Sequence, residues 1–264
     1  MIHPTAIIAP EATLGQNISI GPYCIVGPHV VIGDNVTLKS HVVVEGHTEI
    51  GSGTEIYPFA VLGVAPQDLK YGGEAGRLVI GVNNRIREHV TMHIGTAGGG
   101  LLTKVGDNCL FMVGVHIAHD CVIGDHVIMA NNATLGGHVV VGDHALIGGL
   151  AAVHQFIRIG KFAMVGGMSG VDNDIIPFGR VKGERASLAG LNLIGLERNG
   201  FDKTQVREMQ KVVETLFAGE GTFDARLDRI ANDYKESPRI QEIVDFARTR
   251  DRFPICGPAS KNGV

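Results

Sequence analysis

Residues Val105 to Asn173 run VGDNCL, FMVGVH, IAHDCV, IGDHVI, MANNAT, LGGHVV, VGDHAL, IGGLAA, VHQFIR, IGKFAM, VGGMSG, VDN. Each block of six opens on an aliphatic, Met or Phe residue: Val105, Phe111, Ile117, Ile123, Met129, Leu135, Val141, Ile147, Val153, Ile159, Val165, Val171. Gly is frequent at the second place, and the fifth place is usually small or β-branched. A period of six fits neither an amphipathic helix nor an alternating strand. It is the pattern of a parallel β-helix built from hexapeptides, each a short strand plus a turn. Three blocks close one triangular coil of about 18 residues, and coils stack at strand spacing, about 4.8 Å.

The same period fills the N-terminal part. Ile2, Ile8, Leu14, Ile20, Val26, Ile32, Leu38, Val44, Ile50, Ile56 and Leu62 fall six apart without a slip. The register breaks over residues 66–79, PQDLKYGGEAGRLV, and returns at Ile80, Ile86 and Met92. A second interruption, 97–104, carries Gly98-Gly99-Gly100. Insertions in a solenoid commonly sit where binding is done. In the first loop Asp68 and Lys70 flank an apolar Leu69, which favours a functional loop over a passive excursion.

The repeat stops after Val171. Pro177 and Gly179 mark an exit, and 178–190 read as a connecting segment. Residues 1–190 are therefore expected to form the β-helix, and 191–264 a helical domain. Thr204–Phe217, Thr222–Tyr234 and Pro238–Arg248 have helical spacing of apolar residues. Asp202 and Thr222 suit N-terminal caps, and Pro238 a first helical turn. The last dozen residues, with Pro254, Gly257, Pro258 and Gly263, are expected to be loosely held.

Composition narrows the function classes. The chain has 264 residues, 37 of them Gly, no Trp, and a net charge of −4. The helical part holds 12 basic and 12 acidic side chains, so the negative charge lies in the β-helix. Nothing suggests nucleic-acid binding. No apolar run approaches the roughly 18 residues of a membrane span, and no signal peptide opens the chain. Cys24, Cys109 and Cys121 take the small fifth place of a block and, with Cys256, show no metal or disulfide spacing. Buried thiols in a reducing cytoplasm are the expectation.

Six of the 12 histidines fall between residues 116 and 154: His116, His119, His126, His138, His144 and His154. Positions about 18 apart share a column on the coil. His119 therefore stacks with Gly137 and Gln155, Asp120 with His138 and Phe156, and His126 with His144. A His near neutral pKa can take a proton from a hydroxyl, and a neighbouring carboxylate can fix its tautomer. A Gly N–H one coil away could meet a developing oxyanion. His126 and His144 are read as ordinary surface turn residues.

PQDLKYGGE, HIAHDC, NNATLGGHV, AVHQF, MVGGMSG and LNLIGLERNGF together resemble the UDP-N-acetylglucosamine acyltransferases, over essentially the whole chain. The resemblance implies a left-handed parallel β-helix with a C-terminal α-helical domain, assembled as a homotrimer with active sites in clefts between neighbouring β-helices. It implies transfer of an R-3-hydroxyacyl chain from acyl carrier protein to the 3-hydroxyl of UDP-GlcNAc, the first step of lipid A biosynthesis. His119 matches the general base, Asp120 its orienting carboxylate and Gly137 the oxyanion donor. Asp68, Lys70, His116, His138, His154 and Gln155 match sugar and acyl contacts. Asn192 and Arg198 match nucleotide contacts. Gly167, with Met168 beside it, matches the residue that limits acyl length. No cofactor or metal is implied, since the phosphopantetheine belongs to the carrier. Ile194 and Asn199 stand where the family often has an acidic residue and a second Arg. An acidic carrier needs a local basic surface, for which Arg158, Lys161, Arg180 and Lys182 are candidates.

Three other readings compete. A γ-class carbonic anhydrase would bind a metal through three histidines at a subunit boundary, with a five-residue spacing that HIAH lacks. The later N-acyltransferase of the same pathway carries an extra N-terminal domain, whereas hexapeptides here begin at Ile2. A non-catalytic β-solenoid scaffold gives no reason for Asp68, Lys70, His119 and Gly137 to converge.

Overall fold

The structure is a computed structural model and describes residues 1–259. Three parallel sheets of nine, eight and ten strands form the sides of a triangular prism. Most strands are two residues long, the first facing out and the second in, as in Val122–Ile123 and Ile128–Met129. Successive coils pair in register, Val122 with Val140 and Val140 with Arg158. The inward residues make one continuous core that includes Ile32, Leu62, Ile86, Phe111, Ile117, Met129 and Val165. Burying each such side chain stabilises the coil by about 1.5–3 kcal/mol relative to exposure.

The corners between sheets are tight, and most use one residue with left-handed backbone. Asp120, His138 and Phe156, with φ of 60°, 63° and 68°, form one such column. Asn108, His126, His144 and Phe162 form a second, and Asn132, Leu150 and Met168 a third. Asn, Asp and His tolerate this region better than other non-Gly residues. This explains much of the histidine count: His41, His89, His126, His138 and His144 all sit at such corners. His126 stacks on His144 with centroids 4.7 Å apart.

The first interruption is shorter than the six-residue reading predicts, and the second begins and ends three residues earlier. Arg77–Ile80 is a strand pairing with His47–Ile50 and Leu102–Val105. Leu78, Ile80, Thr103 and Val105 point inward. These four-residue strands alternate with period two, which a search in sixes passes over. The excursions proper are 65–76 and 94–101, the second holding a short turn of helix at Ala97–Gly99.

The exit also differs from expectation. Residues 178–190 are not a connector: Gly179–Lys182 and Ser187–Leu191 form an antiparallel hairpin that extends the third sheet. Four helices follow: α1 Leu193–Arg198, α2 Lys203–Ala218, α3 Phe223–Asp233 and α4 Pro238–Arg248. Asp202 accepts from the Thr204 and Gln205 amides, and Thr222 from that of Ala225, as N-terminal caps do. Ser237 precedes Pro238 without a side-chain cap bond. Met209, Val212, Val213 and Leu216 of α2 pack inward with Ile240, Ile243, Val244 and Ala247 of α4.

The tail is held, contrary to the composition-based expectation, as far as Pro258; Gly263 lies outside the described residues. The Cys256 amide donates to Asp174 O at 2.7 Å, and the Leu188 amide to Gly257 O at 2.8 Å. Backbone bonds of this kind leave no mark in side-chain composition. The hinge pin of this end is Asp174, 2 % exposed. It accepts from the Arg158 amide at 2.8 Å and from Arg158 Nε at 2.7 Å. The Arg158 guanidinium also donates to Phe246 O and Thr249 Oγ1, so it is committed to the fold rather than free for a carrier. Lys161 lies 3.5 Å from Asp143, whereas Arg180 and Lys182 stay exposed.

Asp174→Ala should cost about 3 kcal/mol, because it leaves a largely buried guanidinium without its carboxylate. Asp172→Ala, whose partner Arg185 is 86 % exposed, should stay within about 0.5 kcal/mol. Urea denaturation of both variants checks the contrast.

Candidate active site

The corner column between the first two sheets holds the densest chemistry. The chain turns there through Ala118–Cys121, placing His119 and Asp120 side by side. His119 Nδ1 is 2.7 Å from Asp120 Oδ2. A carboxylate can only accept here, so Nδ1 carries the proton and Nε2 keeps a free lone pair. Asp120 is buried, its side chain 1 % exposed against 15 % for His119. The carboxylate is further fixed from the second excursion: the Thr96 amide donates to Oδ1 at 2.8 Å and the Thr96 hydroxyl to Oδ2 at 2.6 Å. Thr103 Oγ1 accepts from the Asp120 amide at 2.8 Å. These two threonines carry no hexapeptide signal, and the sequence reading missed them.

Two glycines make room for this pair. A Cβ at Gly137 would fall 2.6 Å from His119 Cε1 and 2.7 Å from Nε2, so any side chain there would push the imidazole away. Among the described residues the Gly137 N–H has no hydrogen-bond partner, while its carbonyl accepts from Phe156. A Cβ at Gly99 would lie 2.0 Å from Asp120 Cγ. The run Gly98-Gly99-Gly100 is thus the lid of the buried carboxylate.

More rings surround the pair. His138 stands edge-on to His119 with centroids 5.1 Å apart. Its Nε2 is 3.8 Å from Asp120 Oδ2, beyond hydrogen-bond reach. Burial holds His138 below the ordinary imidazole pKa; Asp120 pulls the other way, while His119 and Arg252 add to the lowering. His116 Nδ1 is 2.7 Å from Thr91 Oγ1, and burial lowers its pKa as well. His93, not singled out from the sequence, is buried against His116 and pushed down to about 4 by burial and then by His116 and His119. These rings are therefore neutral near pH 7.

Phe156 stacks on His138 at 4.3 Å, and the Arg252 guanidinium lies 3.8 Å over Phe156. Phe253 meets His154 edge-on at 5.5 Å. The tail thus closes one end of the column, a role that no local pattern announces. His154 and Gln155 are exposed on the coil after Gly137. Asp68 is half-buried on the first excursion, near enough to His138 to raise its pKa slightly, and Lys70 is exposed beside it.

The other candidates lie elsewhere. Asn192 and Arg198 line a cavity of about 390 Å³ with His126, His144 and Ile194, and no residue of the His119 cluster borders it. This is the corner between the second and third sheets. Asn192 is engaged at both ends, accepting from the Gly195 amide and donating to Phe162 O. Gly167 and Met168 sit at the third corner, both exposed. A Cβ at Gly167 would approach only Gly149 O, at 3.3 Å. The sequence-predicted residues are thus divided among all three corners of the prism.

His119, Asp120 and His138 offer ligand atoms within 4.8 Å of one another. That is two imidazoles and a carboxylate, and the carboxylate already binds Thr96 and His119, unlike the three-histidine set a γ-class carbonic anhydrase needs. Among the described residues no helix is long and apolar enough to cross a membrane.

Comparison with known proteins agrees with this layout. Residues 29–63 and 102–137 match the bacterial transferase hexapeptide family, and 174–256 match domain 2 of the UDP N-acetylglucosamine O-acyltransferases. The chain is 51 % identical to the acyl-[acyl-carrier-protein]--UDP-N-acetylglucosamine O-acyltransferase of Caulobacter vibrioides, covering 97 % of this chain and 98 % of that one. It is 56 % identical to the Rickettsia felis protein of that name, over 76 % of each chain. A crystal structure of a UDP-N-acetylglucosamine acyltransferase superposes with a TM-score of 0.95 at 39 % identity, covering 98 % of this chain and all of that one. The Campylobacter jejuni UDP-N-acetylglucosamine acyltransferase gives 0.93 at 37 % identity, with 98 % and 100 % coverage. The fold is thereby the left-handed parallel β-helix with a helical C-terminus. The chain belongs to the acyl-[acyl-carrier-protein]--UDP-N-acetylglucosamine O-acyltransferase family.

Proposed function

We propose that this protein transfers an R-3-hydroxyacyl group from acyl carrier protein to the 3-hydroxyl of UDP-GlcNAc, the first step of lipid A biosynthesis, in the cytoplasm. The observation that carries the chemistry is the His119–Asp120 pair, bonded at 2.7 Å and seated over a glycine with a free N–H. His119 Nε2 takes the proton of the sugar hydroxyl. The hydroxyl oxygen attacks the thioester carbonyl carbon, and the carbonyl oxygen, now negative, is met by the Gly137 N–H. Collapse re-forms the carbonyl and breaks the C–S bond, and the leaving thiolate takes the proton from His119 Nε2. Asp120 holds the tautomer and steadies the transient imidazolium. No acyl-enzyme is needed, and the cysteines are unsuited to one: burial pushes Cys109 and Cys121 up to about 12. The phosphopantetheine arrives with the carrier, so the chain requires no cofactor of its own.

Asp68, Lys70, His116, His138, His154 and Gln155 contact sugar and acyl groups in this reading, and Asn192 and Arg198 the nucleotide. Because these sets, with Gly167, occupy different corners, one chain cannot bring them together. A homotrimer, in which one prism's corner faces another's side, supplies the missing wall. Arg180 and Lys182 remain as basic side chains for an acidic carrier. An acyl-transfer assay with UDP-GlcNAc and hydroxyacyl carrier proteins of several chain lengths tests the reading; no transfer with any donor overturns it.

His119→Ala should lower turnover by at least about 10²-fold with the coil intact by circular dichroism. Asp120→Asn should be milder, because the imidazole survives with a poorly fixed tautomer. Near parental activity in purified His119→Ala would remove the base assignment.

Light scattering at micromolar concentration should give the mass of three chains. A monomer that is active would contradict a shared site.

A Cβ at Gly167 meets only the Gly149 backbone, so a side chain fits there if that coil yields by a few tenths of an ångström. If Gly167 floors the acyl groove, a groove that holds four more methylenes gains roughly 3 kcal/mol, or about 10²-fold in kcat/KM for the longer donor. Gly167→Met should shift preference to a shorter chain. Met168 projects from its corner, 73 % exposed, and becomes the next residue to test if the profile is unchanged.

A further inference from the structure

The first excursion carries Asp68 and Lys70, and the second carries Thr96 and Gly99, which hold Asp120. One side chain joins them. Glu74 Oε2 accepts from the Gly72 amide at 2.8 Å, within its own loop. Its Oε1 accepts from the Ala97 amide at 3.0 Å, across to the other loop. The backbone of Glu74 is pinned as well: its carbonyl accepts from Tyr71 Oη at 3.1 Å and from the Gly76 amide at 2.8 Å. The two loops touch directly beside it, since a Cβ at Gly76 would fall 1.8 Å from Gly95 O. From Ala97 the connection continues without a gap. Thr96, its neighbour, donates from amide and hydroxyl to the two oxygens of Asp120, and Asp120 accepts from His119.

We propose that Glu74 is a positioning residue: its carboxylate clasps the loop bearing Asp68 and Lys70 to the loop that fixes Asp120, so that sugar and base are set by one hydrogen-bonded unit. This inference rests on the acyl-transfer reading. A carboxylate is suited to the task because it offers two acceptor oxygens and no donor to two amides that approach from different loops. The Ala97 bond, and with it the bonds inside its own loop, holds the Glu74 carboxyl below its ordinary pKa, as bonds to the charged form do. Glu74 need not touch substrate. It acts on Asp68 and Lys70 through one loop and on the tautomer of His119 through the other.

The variants are Glu74→Gln and Glu74→Ala in the full-length enzyme. Gln keeps the shape but has a single acceptor oxygen, so it can serve only one of the two amides. We expect kcat/KM for UDP-GlcNAc to fall about 10-fold in Glu74→Gln, with KM raised through the first loop and kcat lowered through the second. A bystander on the surface would move neither, and a merely structural residue would lower the melting temperature without splitting the two constants. Glu74→Ala combined with Thr96→Val should fall short of the product of the single effects, because both cut the same connection. Hydrogen exchange gives a readout independent of activity: the Gly72 and Ala97 amides should both exchange faster in Glu74→Ala, and one of the two in Glu74→Gln. A kcat/KM within twofold of the parent overturns the proposal, as does an activity loss in Glu74→Ala with Ala97 exchange unchanged. If the parent enzyme transfers no acyl group, the functional reading has failed. The clasp is then judged by exchange alone, and unchanged protection at both amides sinks it.

Discussion

The register of the coil governs this molecule. Each turn of the prism hydrogen-bonds to the next with a fixed offset, Val122 to Val140 to Arg158. A residue's height and face are therefore set by its place in the repeat. His138 lies beside Asp120, and Gly137 beside His119, both on the following coil, because backbone bonds between coils put them there and no side chain has to seek its partner. Solenoid contacts are local, so the stack tolerates two excursions without losing step. The His119–Asp120 pair uses both properties: it is placed by the coil and then fixed by a loop that the coil can extrude freely.

Rigid placement leaves the electrostatics to do the rest. His119 belongs to a cluster whose other imidazoles, His93, His116 and His138, have pKa values lowered by burial and stay neutral. Asp120 is the buried anion beside them, and its oxygens are shared between Thr96 and His119. In the proposed transfer, an imidazolium at His119 would meet the Asp120 carboxylate and several neutral rings, a setting suited to holding a proton and returning it.

The coil, its columns and the candidate cluster were legible in the sequence because period six is a direct imprint of geometry. The same regularity hid whatever departs from it. Arg77–Ile80 and Leu102–Val105 alternate in twos and look like loop when counted in sixes. The hairpin Gly179–Leu191 and the tail at 254–258 are held by main-chain bonds, to which side-chain identity gives no clue. Thr96 and Glu74 are polar residues in irregular segments and Thr103 a polar residue facing inward from a strand, and only the fold shows that the two threonines meet Asp120 and Glu74 spans the loops. His126 and His144, read from the sequence as surface turn residues, do sit at left-handed corners. Yet their corner also borders the Arg198 cavity, so a corner residue and a lining residue are not exclusive descriptions.

The tail ends on the very column that opens the chemistry. Arg252 covers Phe156, Phe156 covers His138, and Phe253 meets His154. On the ribosome, His119 and Asp120 emerge more than a hundred residues before Arg252. At roughly 5–20 residues per second, the coil has several seconds to stack before its last aromatic shield can arrive. The chain is therefore born with this column open and covers it late, so that the shield over His138 arrives on a coil already stacked.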